Sequence, residues 1–138
     1  MLTFDLDVAH TRARFTDYDS VGDHIPGAAT TVGSASVTFG YPTGWFGALK
    51  LRYFGPRPLI EDDSVRSGAT TLVNARVGYK FDNGLRIWLD ALNLLNAQSH
   101  QIDYYYASQL RGEPAPVNDV HFHPVEPLAV RLTLAASL

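Results

Sequence analysis

Residues 128–138 read LAVRLTLAASL, and this stretch decides the fold class. Every second residue from Leu128 to Leu138 is apolar, whereas the residues between them are small, polar or charged. Successive side chains of a β-strand point to opposite faces, so the alternation predicts a strand with one wholly apolar face. A strand of this length, at about 3.3 Å per residue, would extend roughly 35 Å, enough to cross a bilayer core at a tilt.

The same alternation recurs along the rest of the chain, and no segment has the apolar periodicity of a helix. Working back from the last stretch, it predicts strands at about 2–16, 30–41, 45–56, 70–81, 85–96 and 127–138. Asp82-Asn83-Gly84 predicts a tight hairpin turn, because Asn-Gly readily adopts positive φ angles. The sequence therefore predicts an all-β fold, an antiparallel up-and-down meander of about six long strands in a single segment, 1–138.

The connections between these strands alternate in length, which bears on the environment of the sheet. Residues 17–29, 57–69 and 97–126 are long connections, whereas 42–44 and 82–84 are short turns. Short turns at one end and long loops at the other are typical of transmembrane β-barrels. The alternative is a small soluble β-barrel or sandwich that binds a ligand, in which the apolar faces would be buried against each other.

Composition excludes several classes of protein. The 138 residues carry a net charge of −3, with no basic excess, which argues against a nucleic-acid partner. There is no cysteine, hence no disulfide, thiol nucleophile or cysteine-bound metal. The amino terminus lacks the basic and apolar regions of an export signal, so we expect either a cytoplasmic protein or a piece of a longer chain. No catalytic motif is present, and we predict no enzyme activity and no cofactor.

Several stretches resemble the barrel of TonB-dependent receptors. They are IPGA at 25–28, GWFGALKLRYFGPRPL at 44–59, NARVGYKF at 74–81, LDALNLLN at 89–96, DYYYAS at 103–108 and HFHPVEP at 121–127. The order and strand-like spacing of these stretches make the resemblance specific, although Ala29 stands where proline is usual. The resemblance covers essentially the whole chain and implies the C-terminal segment of such a receptor.

The resemblance implies a bacterial outer-membrane protein for TonB-energised uptake of a scarce nutrient, such as siderophore-bound iron or cobalamin. Such receptors are barrels of about 22 strands with a plug in the lumen. The implied partners are outer-membrane lipid, the remainder of the barrel and its plug domain, TonB through an N-terminal region, and the barrel-assembly machinery. The long loops would be extracellular. Leu138 stands where these barrels typically end in phenylalanine, and with no plug in the sequence we expect a fragment or an oligomerising piece.

The residues with the most binding potential lie in the last long loop. Tyr104, Tyr105 and Tyr106 offer rigid aromatic surface for a ligand, and His121 and His123 would share one strand face with Asp119. We predict ligand contact by these five aromatic and histidine side chains, without a metal site. The charged residues of the strands, among them Asp90 and Arg131, are expected to share the face opposite the apolar one, where these two would meet across the last two strands.

Overall fold

The predicted meander forms one antiparallel six-stranded sheet in the computed structural model, which describes residues 1–137 and, among them, all side chains but those of Tyr18 and Asp19. The strands are β1 (Leu2–His10), β2 (Arg14–Asp19), β3 (Gly22–His24), β4 (Thr31–Gly40), β5 (Gly44–Phe54), β6 (Thr70–Lys80), β7 (Leu85–Leu92), β8 (His100–Ser108), β9 (Val117–Pro124) and β10 (Ala129–Ala136). The order in the main sheet is β1-β4-β5-β6-β7-β10. The prediction of an all-β fold is confirmed. Leu138 lies outside the described residues.

Two small hairpins lie outside the main sheet, β2 with β3 and β8 with β9. Both stand at the end of the sheet opposite the short turns, which we call the long-loop end. The β2–β3 hairpin changes the bounds of the predicted strand 2–16, because the strand of the main sheet ends at His10 and a separate strand begins at Arg14. The physical reason is a change of phase: the apolar series occupies even positions up to Val8 and odd positions from Ala13, so one flat strand would turn Phe15 to the charged face.

The predicted strand 85–96 also ends early, at Leu92. Asn93 and Asn96 have φ angles of 49° and 47°, which are left-handed conformations incompatible with a continuing strand. Asparagine tolerates this region better than most residues, so the two asparagines turn the chain away from the sheet. The chain then enters the β8–β9 hairpin, within the connection 97–126 that the sequence predicted to be long and to contain strand-forming residues.

The register sorts the side chains of the main sheet onto two contrasting faces. One row of paired residues reads Phe4, Val37, Leu49, Ala75, Ala91 and Val130 across the six strands. The adjacent row reads Thr3, Thr38, Ala48, Arg76, Asp90 and Arg131. Because faces alternate at each residue, one side of the sheet is an apolar face and the other is a charged face.

The apolar face is not covered by any other part of the described chain. Leu6 is 76% exposed and Leu132 is 67% exposed. Apart from proline, Leu59 is the only buried aliphatic or aromatic side chain among those that the structure describes. A contiguous apolar surface of this extent is unfavourable in water and marks an interaction surface. Nor do residues 1–137 contain any helix of the length and apolarity needed to cross a membrane.

Close packing of aromatic rings on glycine fixes the short-turn end of the sheet. Gly78 lies between the side chains of Phe46 and Trp88, and a Cβ atom there would come within 2.5 Å of each. On the apolar face, the ring of Trp45 meets that of Tyr79 edge to face at a centroid distance of 5.4 Å. Aromatic side chains of this kind form the girdle at the interface of membrane barrels.

Candidate functional site

The β8–β9 hairpin, His100–Pro124, forms an arm at the long-loop end and carries all five predicted site residues. Tyr104 pairs with His121, and the neighbouring pairs on the same face are Tyr106 with Asp119 and Ile102 with His123. Tyr105 pairs with Val120 on the opposite face. The structure therefore brings four of the predicted residues together on one surface, which we call the ring face (Tyr104, Tyr106, His121 and His123).

The four rings of this surface form two contacting pairs, each of one tyrosine and one histidine. The imidazole of His121 stacks on the ring of Tyr106 at a centroid distance of 4.0 Å and an interplanar angle of 16°. His123 meets Tyr104 edge to face at 6.5 Å. Both tyrosines are about half exposed, and His121 Nε2 is buried without a hydrogen-bond partner in the part of the chain that the structure describes. Such a surface suits stacking against a planar or aromatic ligand.

A buried ion pair that the sequence analysis missed fastens the other face of the arm. The side chain of Asp103 is only 2% exposed and accepts a hydrogen bond from Arg57 Nη2 at 3.1 Å. Its other oxygen lies 2.5 Å from His100 Nδ1. Arg57 belongs to the connection between β5 and β6, so this pair, the arm latch, joins two long connections. The His100-x-x-Asp103 spacing is the only sequence signal for it, and it is a weak one.

Further hydrogen bonds hold the base of the arm against the main sheet. The hydroxyl of Thr70, the first residue of β6, donates to the carbonyl of His100 at 2.6 Å. The buried side chain of Asn93 donates to the carbonyls of Ala97 and Glu126, at 3.1 and 2.9 Å. These bonds satisfy backbone groups on both sides of the arm, so its base is fixed although its tip projects.

A cavity of about 390 Å³ opens on the charged face beside the base of the arm. Its polar lining includes Arg52, Asn74 and Gln101, and its apolar lining includes Phe54 and Leu72. The guanidinium of Arg52 lies 5.4 Å from the centre of the Phe54 ring, a cation–π distance. The cavity thus combines an apolar wall with two cations, Arg52 and the latch residue Arg57, at the long-loop end.

Farther along the charged face, Asp90 is the centre of a polar cluster. Its carboxylate accepts hydrogen bonds from Arg76 Nε at 2.6 Å, Arg76 Nη2 at 3.1 Å and Trp88 Nε1 at 3.1 Å. Arg131 stands directly opposite Asp90 in the register, as the sequence predicted. The bidentate bond nevertheless goes to Arg76 on the other neighbouring strand, which leaves the Arg131 charge available to another partner.

Among the side chains that the structure describes, no group of three histidine, cysteine, aspartate or glutamate residues is placed to hold a metal ion. His121 and His123 share a face with Asp119, but their rings are engaged with tyrosines instead.

Two comparisons with known proteins bear on the sheet. Residues 2–94 match the family described as TonB dependent receptor-like, beta-barrel. The structure is also similar to the crystal structure of the ferric yersiniabactin uptake receptor FyuA from Yersinia pestis, with a TM-score of 0.63 and 18% sequence identity over 87% of this chain. The chain covers 19% of that receptor, so it spans about a fifth of the receptor's length. At this identity the likeness concerns the fold alone.

Proposed function

The chain belongs to the TonB-dependent receptor β-barrel family, and we propose that it is the C-terminal barrel segment of a receptor in the bacterial outer membrane. Receptors of this family are transporters rather than enzymes. The proposed activity is TonB-energised uptake of a scarce nutrient, with siderophore-bound iron as the first candidate because FyuA is named for such a ligand, and cobalamin as another. The alternative of a small soluble β-protein is disfavoured by the uncovered apolar face.

The single observation that carries this proposal is the division of one sheet into an apolar and a charged face. Lipid is the environment in which an uncovered face of leucine, valine and phenylalanine is stable, whereas the other face of such a barrel is polar and lines the lumen. Strands of eight to eleven residues suit this purpose, since a transmembrane β-strand needs about 9–11 residues at a tilt of about 45°. The two open edges, β1 and β10, would pair with the remainder of the barrel, because unpaired backbone groups are costly in lipid.

The charged face would then meet the plug domain or water in the lumen. Arg131 makes no hydrogen bond or close ion pair with any described residue, because Arg76 holds the Asp90 carboxylate. Among the described residues, Asp5 and Asp7 accept hydrogen bonds from serine hydroxyls alone, at 2.9 and 3.4 Å. We expect the plug to supply some of the oppositely charged groups that would pair with these three side chains. The further partners would be TonB, through a segment outside these residues, and the barrel-assembly machinery during insertion.

The arm would lie on the extracellular side, where its ring face can contact an incoming ligand. The support is geometric: two half-exposed tyrosines and two histidines lie together on one face of the arm. Tyr105 belongs to the other face and is not expected to contact the ligand. Substitution of Tyr105 therefore serves as the control for the same substitution of Tyr104 or Tyr106.

The membrane assignment can be tested with neighbouring residues on opposite faces. These 138 residues contain no cysteine, so once any cysteine elsewhere in the full receptor is replaced, a fluorophore can be attached at Leu132→Cys or at Thr133→Cys. In purified outer membranes, nitroxide-labelled lipid should quench the fluorophore at position 132 and leave the one at 133 bright. Equal quenching at both positions, or recovery of the protein in the soluble fraction, would contradict the proposal.

The ligand role of the ring face can be tested by transport. Tyr104→Ala and Tyr106→Ala should lower uptake of ferric yersiniabactin, or of whichever ferric siderophore in a panel the wild-type receptor imports, whereas Tyr105→Ala should not. Surface levels of all variants are measured in parallel by immunoblot. Uptake that is the same in all three variants would remove the ring face from the ligand path.

A further inference from the structure

The connection between β5 and β6, residues 55–69, contacts both small hairpins, and we call it the central loop. On one side it supplies Arg57 to the arm latch, where the guanidinium donates to Asp103. On the other side, its residues Pro58 and Glu61 accept hydrogen bonds from β3 and the segment that follows β3. The two hairpins belong to separate two-stranded sheets, so the central loop is a physical link between them.

The β2–β3 hairpin is attached to the central loop through backbone and side-chain groups. The N–H of His24 donates to the carbonyl of Glu61 at 3.1 Å, and the N–H of Gly27 donates to the carbonyl of Pro58 at 2.8 Å. The His24 ring adds two contacts, since its Nδ1 lies 3.3 Å from the Glu61 carbonyl and its Nε2 lies 3.5 Å from Asp63. These contacts satisfy backbone groups of both segments, so each segment stabilises the position of the other.

Gly22 allows the hairpin and the central loop to approach closely. A Cβ atom on Gly22 would overlap the carbonyl group of Glu61 and lie 2.7 Å from the backbone nitrogen of Asp62. The φ angle of Gly22, 146°, also lies in a region that favours glycine. Because both contacts are with backbone atoms rather than with a flexible side chain, an alanine here must push the central loop and the hairpin apart.

Hydrogen bonds within the central loop connect its two points of attachment. The N–H of Leu59 donates to the carbonyl of Val65 at 2.8 Å, and the N–H of Ser67 donates to the carbonyl of Arg57 at 2.9 Å. The Ser67 hydroxyl accepts hydrogen bonds from the backbone N–H and the Nε of Arg57, at 3.0 and 3.3 Å. The side chain of Leu59 is buried between these bonded segments. A displacement at Glu61 is therefore transmitted to Arg57, because the two limbs of the loop are bonded to each other.

We propose that the β2–β3 hairpin holds the arm in place through the central loop, with Gly22 and His24 as positioning residues for Arg57. The hairpin fixes the central loop, the central loop presents Arg57, and Arg57 holds Asp103. Loss of the hairpin contact should therefore loosen an arm to which neither positioning residue belongs. Under the proposed function the arm carries the ring face, so ligand affinity at one loop would depend on another loop, and this consequence alone rests on the proposed function.

The test measures amide hydrogen exchange of the arm, residues 100–124, in the purified full receptor without ligand. Gly22→Ala should accelerate this exchange about three- to tenfold, less than removal of the latch would, because both members of the latch are still present. His24→Ala removes contacts without adding an atom and should accelerate the exchange about twofold. The control is Gly44→Ala, which creates a similar backbone strain at a φ of 95° but meets nothing within 4 Å, and it should leave exchange of the arm unchanged.

A double variant separates this route from general destabilisation. In a receptor that carries Asp103→Asn the latch is already broken, so adding Gly22→Ala should accelerate exchange of the arm no further. If Gly22→Ala does not fold, the same comparison is made with His24→Ala.

Three results would contradict the coupling. They are unchanged exchange of the arm in Gly22→Ala and His24→Ala, the same acceleration with and without Asp103→Asn, and an acceleration of β6 equal to that of the arm. Because no ligand is present, these results do not bear on transport. Failure of the uptake experiment would contradict the proposed ligand role of the ring face and would leave the coupling of the two hairpins intact.

Discussion

Replacing Asp103 with asparagine should release the arm while leaving the main sheet intact. The Asp103 carboxylate is almost fully buried, and its partner Arg57 is 14% exposed. Breaking a buried ion pair by removing one partner typically costs about 3–5 kcal/mol. Arg57 keeps a second bond, from Nε to the Ser67 hydroxyl at 3.3 Å, and His100 is too exposed to add much. We therefore expect a loss of about 2–3 kcal/mol in the docking of the arm.

Hydrogen exchange of the full receptor measures this loss directly. A cost of about 2–3 kcal/mol raises the open population of the arm roughly 30- to 150-fold, and amide exchange in residues 100–124 should accelerate by the same factor. Amides of β6 should keep their protection, because the hydrogen bonds of the sheet do not depend on the latch. An isolated two-stranded hairpin is marginal in water, so the released arm should also become sensitive to protease.

The matched control for this experiment lies on the other face of the same arm. Asp119→Asn makes the same chemical change at an exposed carboxylate that, among the described residues, accepts a hydrogen bond only from the backbone N–H of Val120, and hydrogen exchange of the arm should not change. The reasoning fails if the arm of Asp103→Asn exchanges as slowly as wild type. It also fails if β6 accelerates as much as the arm, since that would mean global destabilisation.

Three further predictions concern the sheet and one loop. Gly78→Ala should lower the free energy of unfolding of the receptor by about 1–3 kcal/mol, seen as a lower urea midpoint, because the new Cβ would lie 2.6 Å from the carbonyl oxygen of Ile87 in β7. Gly68→Ala is the control and should leave the midpoint unchanged, because its Cβ would meet nothing within 4 Å. Leu132→Arg should cost about 2–4 kcal/mol and deplete the protein from the membrane by immunoblot, whereas Thr133→Arg, on the charged face, should be tolerated. The Asp62 carboxylate accepts a hydrogen bond from the backbone N–H of Ser64, which lowers the pKa of Asp62. An NMR titration should therefore give a pKa below its ordinary value of 3.8. Its contribution to the loop is therefore present above that pH and lost as the pH falls below it, and a pKa at or above 3.8 would contradict this bond.

The main sheet was predictable because each of its strands repeats a period of two over eight or more residues. The alternation in β10 and β6 identifies the faces without any knowledge of the partner strands, and the register then follows from the short turns. Asn83-Gly84 illustrates this: Gly84 has a φ of 82°, and the asparagine side chain accepts the N–H of Leu85 at 3.2 Å. Local chemistry at this turn fixes which residues pair.

The arm latch was not predictable because its members are far apart in sequence. Arg57 and Asp103 are separated by 46 residues, and nothing in their local surroundings marks either as buried. The sequence also could not predict which of the three tyrosines are exposed. Alternation places Tyr105 on the face opposite Tyr104 and Tyr106, but it does not say which of the two faces is packed against the rest of the chain. Long-range pairing of charges is decided by tertiary contacts, which a single sequence does not reveal.

The latch and the ring face lie on opposite sides of the same two strands, and this relation connects stability with function. Asp103 is held by a residue that follows β5, and the carbonyl of His100 accepts a hydrogen bond from the first residue of β6. Both anchoring residues, Arg57 after β5 and Thr70 at the start of β6, also line the cavity that contains Arg52. The ring face belongs to the arm, so under the proposed function the affinity for a ligand there includes the free energy of keeping the latch closed. Loss of the latch should thus weaken ligand binding without removing any group that contacts the ligand.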